Sequence, residues 1–307
     1  MLAFHHADYA DAFEQETGLV GWSQHYDQLG RGRYWGSIDT LALAGMTIYR
    51  ERIGVPILQE SAGPKGRVLF AIPLGADGSW RVEASALASG SLMIAPGGQE
   101  VVIVGSEASD LLIVSAEADL LEAHLPGIDF STPALVERCA QVQALSDWLL
   151  SLLDAHGAGR APVGAQYDQV LTGLLLDRLV GLAGNARGAD LLFRPAAASD
   201  YRRVRDYIAA QAGEPLAVGE MAKAIGMEPA QLRALFKQVT GLAPSEWIML
   251  RRLDAVRRDL SNGVTAGRTV SDVAMNWGFW HLGRFAQYYA TKFGETPSET
   301  LARSRAV

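Results

Sequence analysis

Val218-Gly219-Glu220-Met221-Ala222-Lys223-Ala224-Ile225-Gly226 and Val270-Ser271-Asp272-Val273-Ala274-Met275-Asn276-Trp277-Gly278 share one skeleton: valine, any residue, an acid, an apolar residue, alanine, two residues, an apolar residue, glycine. The copies lie 52 residues apart. After each glycine comes a second helical pattern, closed by Gly241 and Pro244-Ser245-Glu246 in the first copy and by Gly294 and Pro297-Ser298-Glu299 in the second. A period near 50 also fits a solenoid, but only two copies joined by one long helix point instead to a pair of helix-turn-helix units. Alanine at 222 or 274 suits a close crossing of two helices, and glycine at 226 or 278 suits a left-handed helix end where a Cβ is costly.

The second helix of copy one is expected to bury Leu232, Leu235, Phe236 and Val239, and to expose Ala230, Gln231, Arg233, Ala234 and Lys237. That of copy two is expected to bury Leu282, Phe285, Tyr289 and Phe293, and to expose His281, Gly283, Arg284, Gln287, Tyr288 and Lys292. Thr296 and Glu299, three apart, have the spacing of a capping box.

Charge agrees with this division. The 307-residue chain carries a net charge of −7, yet residues 200–307 hold 15 Lys and Arg against 11 Asp and Glu. Nucleic-acid affinity depends on local cationic surface, so an acidic N-terminal part is no obstacle. The excess is modest and would not identify a DNA-binding domain unaided.

Upstream, residues 185–199, with Gly188, Pro195 and three consecutive alanines, read as a linker. Before it, helical spacing predicts two helices within about 131–184, the first started by Ser131-Thr132-Pro133 and the second running from Ala165 to about Ala183. Their apolar faces suit either packing on the preceding domain or a homodimer interface through 133–183. Residues up to about 125 read as short strands: Leu41–Tyr49, Arg67–Leu74, Ser91–Ala95, Glu100–Val104 and Asp110–Ser115, with turns at 75–78 and 96–98. Many short strands with regular turns suggest a barrel or a sandwich. The domains are therefore 1–184, with β structure to about 125, the linker, and 200–307.

Residues from about 200 to 305 resemble the AraC/XylS family of bacterial transcription regulators. The resemblance rests on Ala222, Gly226, Leu232, Phe236-Lys237, Gly241 and Pro244, then on Val273-Ala274, Gly278-Phe279, Phe285, Phe293-Gly294 and Pro297. The run Trp277-Gly278-Phe279-Trp280-His281-Leu282-Gly283-Arg284-Phe285 is similar to the XylS-type branch. The resemblance implies an α+β chain: a cupin-like β-barrel with two following helices, then an all-α double helix-turn-helix domain. It implies that both second helices enter successive major grooves of double-stranded DNA, held apart by a helix over about 245–260. It further implies an activator that contacts RNA polymerase and is controlled by a small molecule in the N-terminal domain. Control by a protein partner, or by abundance alone, is the alternative.

By position the DNA-contacting residues are Gln231, Arg233, Ala234, Lys237, His281, Arg284, Gln287 and Lys292. Arg pairs bidentately with guanine and Gln with adenine. The bland role for each Arg is a phosphate contact or a solvated face. Many relatives carry Arg where this chain has Ala234 and Gln287, so Arg233 and Arg284 are the candidate substitutes. Of Arg251, Arg252, Arg257 and Arg258 on the joining helix, one or two are expected at phosphates.

For an effector, residue type and strand position single out Trp22, Tyr34, Trp35, Tyr49, Arg50, Arg67 and Trp80. Aromatic faces beside Arg suit an aromatic or carboxylate compound, although aromatic side chains in β domains are commonly core. Other chemistry finds little support. The six histidines form no His-x-His in a strand, so no metal or other cofactor is expected. Lone Cys139 reads as core, with a redox or methyl-acceptor role as the alternative. No phosphate loop or nucleophile turn is present, so no enzyme is expected. With no signal-like segment and no long apolar run, a cytoplasmic protein without a membrane partner is expected.

Overall fold

The computed structural model describes residues 2–75, 80–105, 107–125, 127–188, 195–211, 213–262 and 268–305. The N-terminal half runs β1 (Ala3–Tyr9), α1 (Ala12–Gln15), β2 (Ser23–Gln28), β3 (Gly36–Leu43), β4 (Met46–Ile53), β5 (Ile57–Ala62), β6 (Arg67–Leu74), β7 (Trp80–Val82), β8 (Ser85–Leu87), β9 (Leu92–Pro96), β10 (Val101–Gly105) and β11 (Ser109–Glu117). It continues through α2 (Ala118–His124), β12 (Ala134–Val136), α3 (Ala140–Gly157), α4 (Ala165–Ala183) and β13 (Arg187–Gly188). The C-terminal part holds α5 (Pro195–Ala210), α6 (Val218–Ile225), α7 (Pro229–Val239), α8 (Pro244–Ser261), α9 (Val270–Asn276), α10 (Leu282–Phe293) and α11 (Pro297–Arg305).

Strand alternation sets the layers. Among the described residues the strands form two antiparallel sheets, in the orders β1-β3-β4-β11-β6-β9-β12-β13 and β2-β5-β10-β7-β8. Ile48, Phe70, Ile72, Leu112 and Val114 point from the larger sheet toward α3 and α4. Their neighbours Tyr49, Ala71, Leu111 and Ile113 point between the sheets, against Trp80, Val82 and Ile103. Both faces of these strands are covered, which is why they read as near-continuous apolar runs. The fold is cupin-like but unclosed, because no described ladder joins the sheets and the chain passes from β1 to β2 through α1.

Several elements differ from their sequence signals. The run Leu41–Tyr49 is a hairpin, β3 turning into β4. The turn at 75–78 lies outside the described residues after Gly75. Pro133 does not open a helix: Ala134–Val136 pair with β9, and the helix begins only at Ala140. A short strand there extends the larger sheet beyond β9 and pairs in turn with β13, and the sheet contact outweighs the local helix-start signal. The alanines of the expected linker belong to α5, where Ala198 is buried, and alanine is the best helix former. The rest of that linker, 189–194, lies outside the described residues. The apolar surplus of α3 and α4 goes largely into the sheet, through Leu145, Leu149, Leu153, Leu171, Leu175 and Leu179.

The outer face of the smaller sheet is also buried, and this joins the two halves. Leu58, Val102 and Val104 share one core with Tyr201, Val204, Met221, Ala222, Leu232, Phe236 and Trp247. Around that apolar centre runs a belt of ion pairs. Arg202 meets Glu83 at 2.6 Å and Glu100 at 2.9 Å. Arg205 meets Glu100 at 2.8 Å and Glu60 at 3.3 Å. From α8, Arg251 meets Asp27 at 3.1 Å and Glu60 at 3.3 Å, Arg257 meets Asp11 at 2.6 Å, and Arg258 grips both oxygens of Glu16 at 2.6 and 2.7 Å. Burial works to raise the Asp27 carboxyl, but Arg251 and His25 beside it overcome that and hold it far below the usual carboxylate range.

The second unit has its own core, with Leu253, Val256, Val273, Ala274, Phe285, Tyr289 and Phe293. Gly226 and Gly278 adopt φ of +75° and +82°, the left-handed turn after the first helix of each unit. Thr296 and Glu299 cap α11 reciprocally: Thr296 N donates to Glu299 Oε2 at 2.6 Å, and Glu299 N donates to Thr296 Oγ1 at 3.3 Å. Among the described residues no helix is long and apolar enough to cross a membrane.

Two outcomes follow. Ala274 is fully buried at the crossing of α9. Ala274→Leu is expected to lower stability by about 1–3 kcal/mol through overpacking, measured by urea unfolding, whereas an unchanged midpoint would refute the close crossing. Glu295 accepts from Arg257, Arg303 and Thr300. Burial pulls its carboxyl up, but the bonds from Arg303 and Thr300 and the charge of Arg257 hold it down at about 2, against an ordinary 4.5. A depressed folded value means stability present above pH 4.5 and lost as pH falls from 4.5 toward 2. Glu295→Gln should flatten the wild-type decline in melting temperature across that window, and parallel curves would exclude the role.

Candidate nucleic-acid interface

The helix-turn-helix geometry places α7 and α10 as the two second helices. In α7, Leu232, Leu235, Phe236 and Val239 are buried while Ala230, Gln231, Arg233, Ala234 and Lys237 are exposed, following the 3.6-residue period. Not all of these side chains are equally available. Glu228 N donates to Gln231 Oε1 at 2.9 Å, so the amide oxygen of Gln231 closes the N-terminal capping box of its own helix. Lys237 Nζ donates to Gly241 O at 2.8 Å, at the C-terminal end. Arg233 is exposed and free of hydrogen bonds and ion pairs among the described residues.

In α10, Phe285, Tyr289 and Phe293 are buried, and His281, Gly283, Arg284, Gln287 and Tyr288 are exposed. Arg284 and Gln287 make no hydrogen bond among the described residues. His281 is the N-cap residue and makes no side-chain cap bond. Two expectations are overturned. Leu282, the first residue of α10, is 37% exposed and stands outside the core of the second unit. Lys292 is buried at 3% exposure instead of facing outward. Its Nζ meets Asp254 Oδ2 at 2.5 Å and donates to Leu250 O at 2.7 Å, both on α8. Burial disfavours charge on both partners, raising the Asp254 carboxyl and lowering the Lys292 ammonium, and their attraction opposes both. Lys292 thus ties α10 to the joining helix and is not placed to meet DNA.

The arginines of α8 are equally informative. Arg251, Arg257 and Arg258 are turned onto N-terminal carboxylates. Only Arg252 of the four expected candidates lacks a carboxylate partner among the described residues, and it donates to the carbonyl oxygen of Glu214. The local cationic surface left for DNA therefore centres on α7 and α10. Each of these helices also touches the N-terminal domain at its C-terminal end. Arg81 Nη1 lies 2.6 Å from the place of a Cβ on Gly241, and Arg33 Cγ lies 3.2 Å from that on Gly294. Gly32 N and Gln28 Nε2 donate to the carbonyl of Lys292 at 2.9 and 3.0 Å.

The seven effector candidates are not brought together. Trp22 and Tyr49 meet edge to face at 6.1 Å and share the inter-sheet core with Trp80, whose Nε1 donates to Leu74 O at 3.3 Å. Tyr34 belongs to another cluster, with Tyr26 and Ile57, and donates to Gln15 Oε1 at 2.9 Å. Trp35 is 53% exposed. Arg50 pairs with Asp110 at 2.7 Å on the opposite face of β4 from Tyr49, and Arg67 binds Ser115 Oγ at 2.8 Å, tying β6 to β11. The sequence reading passed over Glu51, which is buried and accepts from Tyr26, Gln15 and Gln59 at 2.6, 3.0 and 2.8 Å. Burial pushes its carboxyl up despite those bonds. Its partners come from α1, β2 and β5, so no local pattern announces it.

Comparison with known proteins finds relatives of the C-terminal domain. Residues 221–303 match the family model described as a helix-turn-helix domain. The XylDLEGF operon transcriptional activator 2 of Pseudomonas putida is 38% identical over 102 residues, covering 33% of this chain and 65% of the relative. A probable thc operon regulatory protein of Rhodococcus erythropolis is 35% identical over 108 residues, covering 35% of this chain and 32% of the relative. The matched part thus spans under two thirds of the first relative and about a third of the second. A solved probable AraC family transcriptional regulator from Rhodopseudomonas palustris CGA009 is 33% identical, with a TM-score of 0.32, covering 34% of this chain and 97% of that one. Over its C-terminal double helix-turn-helix domain, about a third of its length, the chain is similar to transcription regulators of the AraC/XylS family.

Proposed function

We propose that the chain is a sequence-specific DNA-binding transcription regulator, an activator that acts with RNA polymerase in the cytoplasm and answers to a small molecule. The observation that carries the DNA-binding reading is the pair of outward faces on α7 and α10. They keep Arg233, Ala234, Arg284 and Gln287 in solvent while the N-terminal domain neutralises most of the joining helix. The names of the P. putida and R. erythropolis relatives, an operon activator and an operon regulatory protein, support the regulatory part. Because the two exposed faces differ, one chain reads an asymmetric site. Arg284, unpaired in the first turn of α10, is the strongest base reader, since residues near the start of a recognition helix meet base edges. Lys237, next to the last turn of α7, suits a phosphate.

The test is selection of binding sites from randomised duplex DNA with the full chain, followed by gel shifts. A single asymmetric consensus is expected. Arg284→Ala should cost ~1–3 kcal/mol of affinity and relax preference at one or two positions of the half-site read by α10. Wild-type affinity and preference in that variant would remove Arg284 as a reader. Failure to enrich any sequence would overturn the DNA-binding reading itself.

A further inference from the structure

A cavity of about 220 Å³ lies where the three parts of the molecule meet. Ile208 of α5 comes from the first reading unit, Ile248, Arg252 and Ala255 from the joining helix, and Trp277 from the end of α9 in the second unit. His25 and Asp27 of β2 close it from the N-terminal domain. Its polar groups are nearly all committed. Asp27 is held by Arg251 and His25, Asp254 by Lys292, and Asp259 accepts from Trp277 Nε1 at 2.7 Å. Of the other lining cations, Arg251 also meets Glu60, and Arg258 meets Glu16. Arg252 is the exception. It is half-buried and has only the carbonyl oxygen of Glu214 as a partner among the described residues. No carboxylate forms an ion pair with it among the described residues: the charge of Glu214 favours the guanidinium from farther off, but burial beside isoleucine, alanine and indole walls outweighs it and leaves the charge poorly compensated.

We propose that this cavity binds a small organic monoanion, its carboxylate on Arg252 and its compact apolar or aromatic body against Ile208, Ile248, Ala255 and Trp277. A planar carboxylate accepts the forked guanidinium donors bidentately, and such charge-assisted pairs are the strong ones. The size is suitable, since a dry cavity of about 150 Å³ holds benzene and this one leaves room for a short carboxylate arm. The site differs from the inter-sheet interior: most of its wall comes from the DNA-reading domain. Arg252 also packs over the turn after α9, with Nη1 2.8 Å from the place of a Cβ on Gly278. An anion seated here touches both reading units and the N-terminal domain at once. Its service as the regulatory effector rests on the DNA-binding reading, whereas the site itself does not.

The experiment uses the full chain with 3-phenylpropionate and its neutral isostere 3-phenylpropanamide, followed by titration calorimetry and thermal unfolding. The carboxylate is expected to bind saturably at one site, about tenfold or more tighter than the amide, and to raise the melting temperature with concentration. Arg252→Gln should bring the carboxylate down to the affinity of the amide while leaving amide binding unchanged, which also shows that the variant is folded. Ala255→Phe, which fills the apolar wall, should abolish binding of both. Equal affinity for the two probes, undiminished carboxylate binding in Arg252→Gln, or no saturable binding of either probe would overturn the site. Saturable Arg252-dependent binding by a chain that enriches no DNA sequence would support the site and overturn the regulator reading alone.

Discussion

The guanidinium of Arg251, between Asp27 and Glu60 beneath the smaller sheet, is the contact on which the arrangement of the molecule turns. It sits at the rim of an apolar core that neither half completes alone, because Leu58, Val102 and Val104 lie against Tyr201, Phe236 and Trp247. Ion pairs that have lost water contribute little net stability against a well-packed apolar alternative, but breaking one side of a buried pair costs about 3–5 kcal/mol. Their effect here is geometric. Apolar surfaces slide against one another, whereas the forked pairings of Arg202, Arg251 and Arg258 admit one register. The joining helix is held at several points along one side, and both reading units are held with it.

This arrangement resolves the charge asymmetry of the chain. The acidic N-terminal part is complementary to one side of the DNA-reading domain: Asp11, Glu16, Asp27, Glu60, Glu83 and Glu100 each face an arginine of residues 200–258. The remaining unpaired cations on the reading helices, Arg233 and Arg284, stand away from that belt. A modest positive excess in residues 200–307 thus still leaves unpaired charge where the two second helices face outward.

The repeat was legible because a helix-turn-helix imposes local demands. Ala222 and Ala274 at the crossings, Gly226 and Gly278 at left-handed turns, and the buried stripes of α7 and α10 are all written within one stretch of each copy, Ala222 to Val239 and Ala274 to Phe293. Lys292 was misplaced because its charge was read before its position. It lies three residues beyond Tyr289 and seven beyond Phe285, on the buried stripe, and periodicity would have put it inside. Pro133 carried a true helix-start chemistry that a strand pairing with β9 overrode. What the sequence could not show was the match between separate segments, whether a few tens of residues apart or more than two hundred. No local pattern links Glu16 to Arg258, gathers Gln15, Tyr26 and Gln59 around Glu51, or frames a cavity from Ile208, Arg252 and Trp277. For a similar reason an effector pocket has no local signature, since Trp22, Tyr49 and Trp80 look the same in sequence whether they line a vacancy or, as here, pack in one core.

The contacts at the C-terminal ends of the two reading helices reach beyond this molecule. Arg81 lies beside Gly241, and the loop around Gly32 and Arg33 lies beside Gly294. The halves of this chain are therefore not interchangeable cassettes. A chimaera that grafts another N-terminal half onto residues 200–307 would need, besides a similar fold, the acids and loops that seat those helix ends. Any divergence of the C-terminal half that moves an arginine of the belt must be answered in a strand of the other half. Lineages of this chain should therefore change in coupled pairs across the seam, even though the two halves look like separately inherited parts.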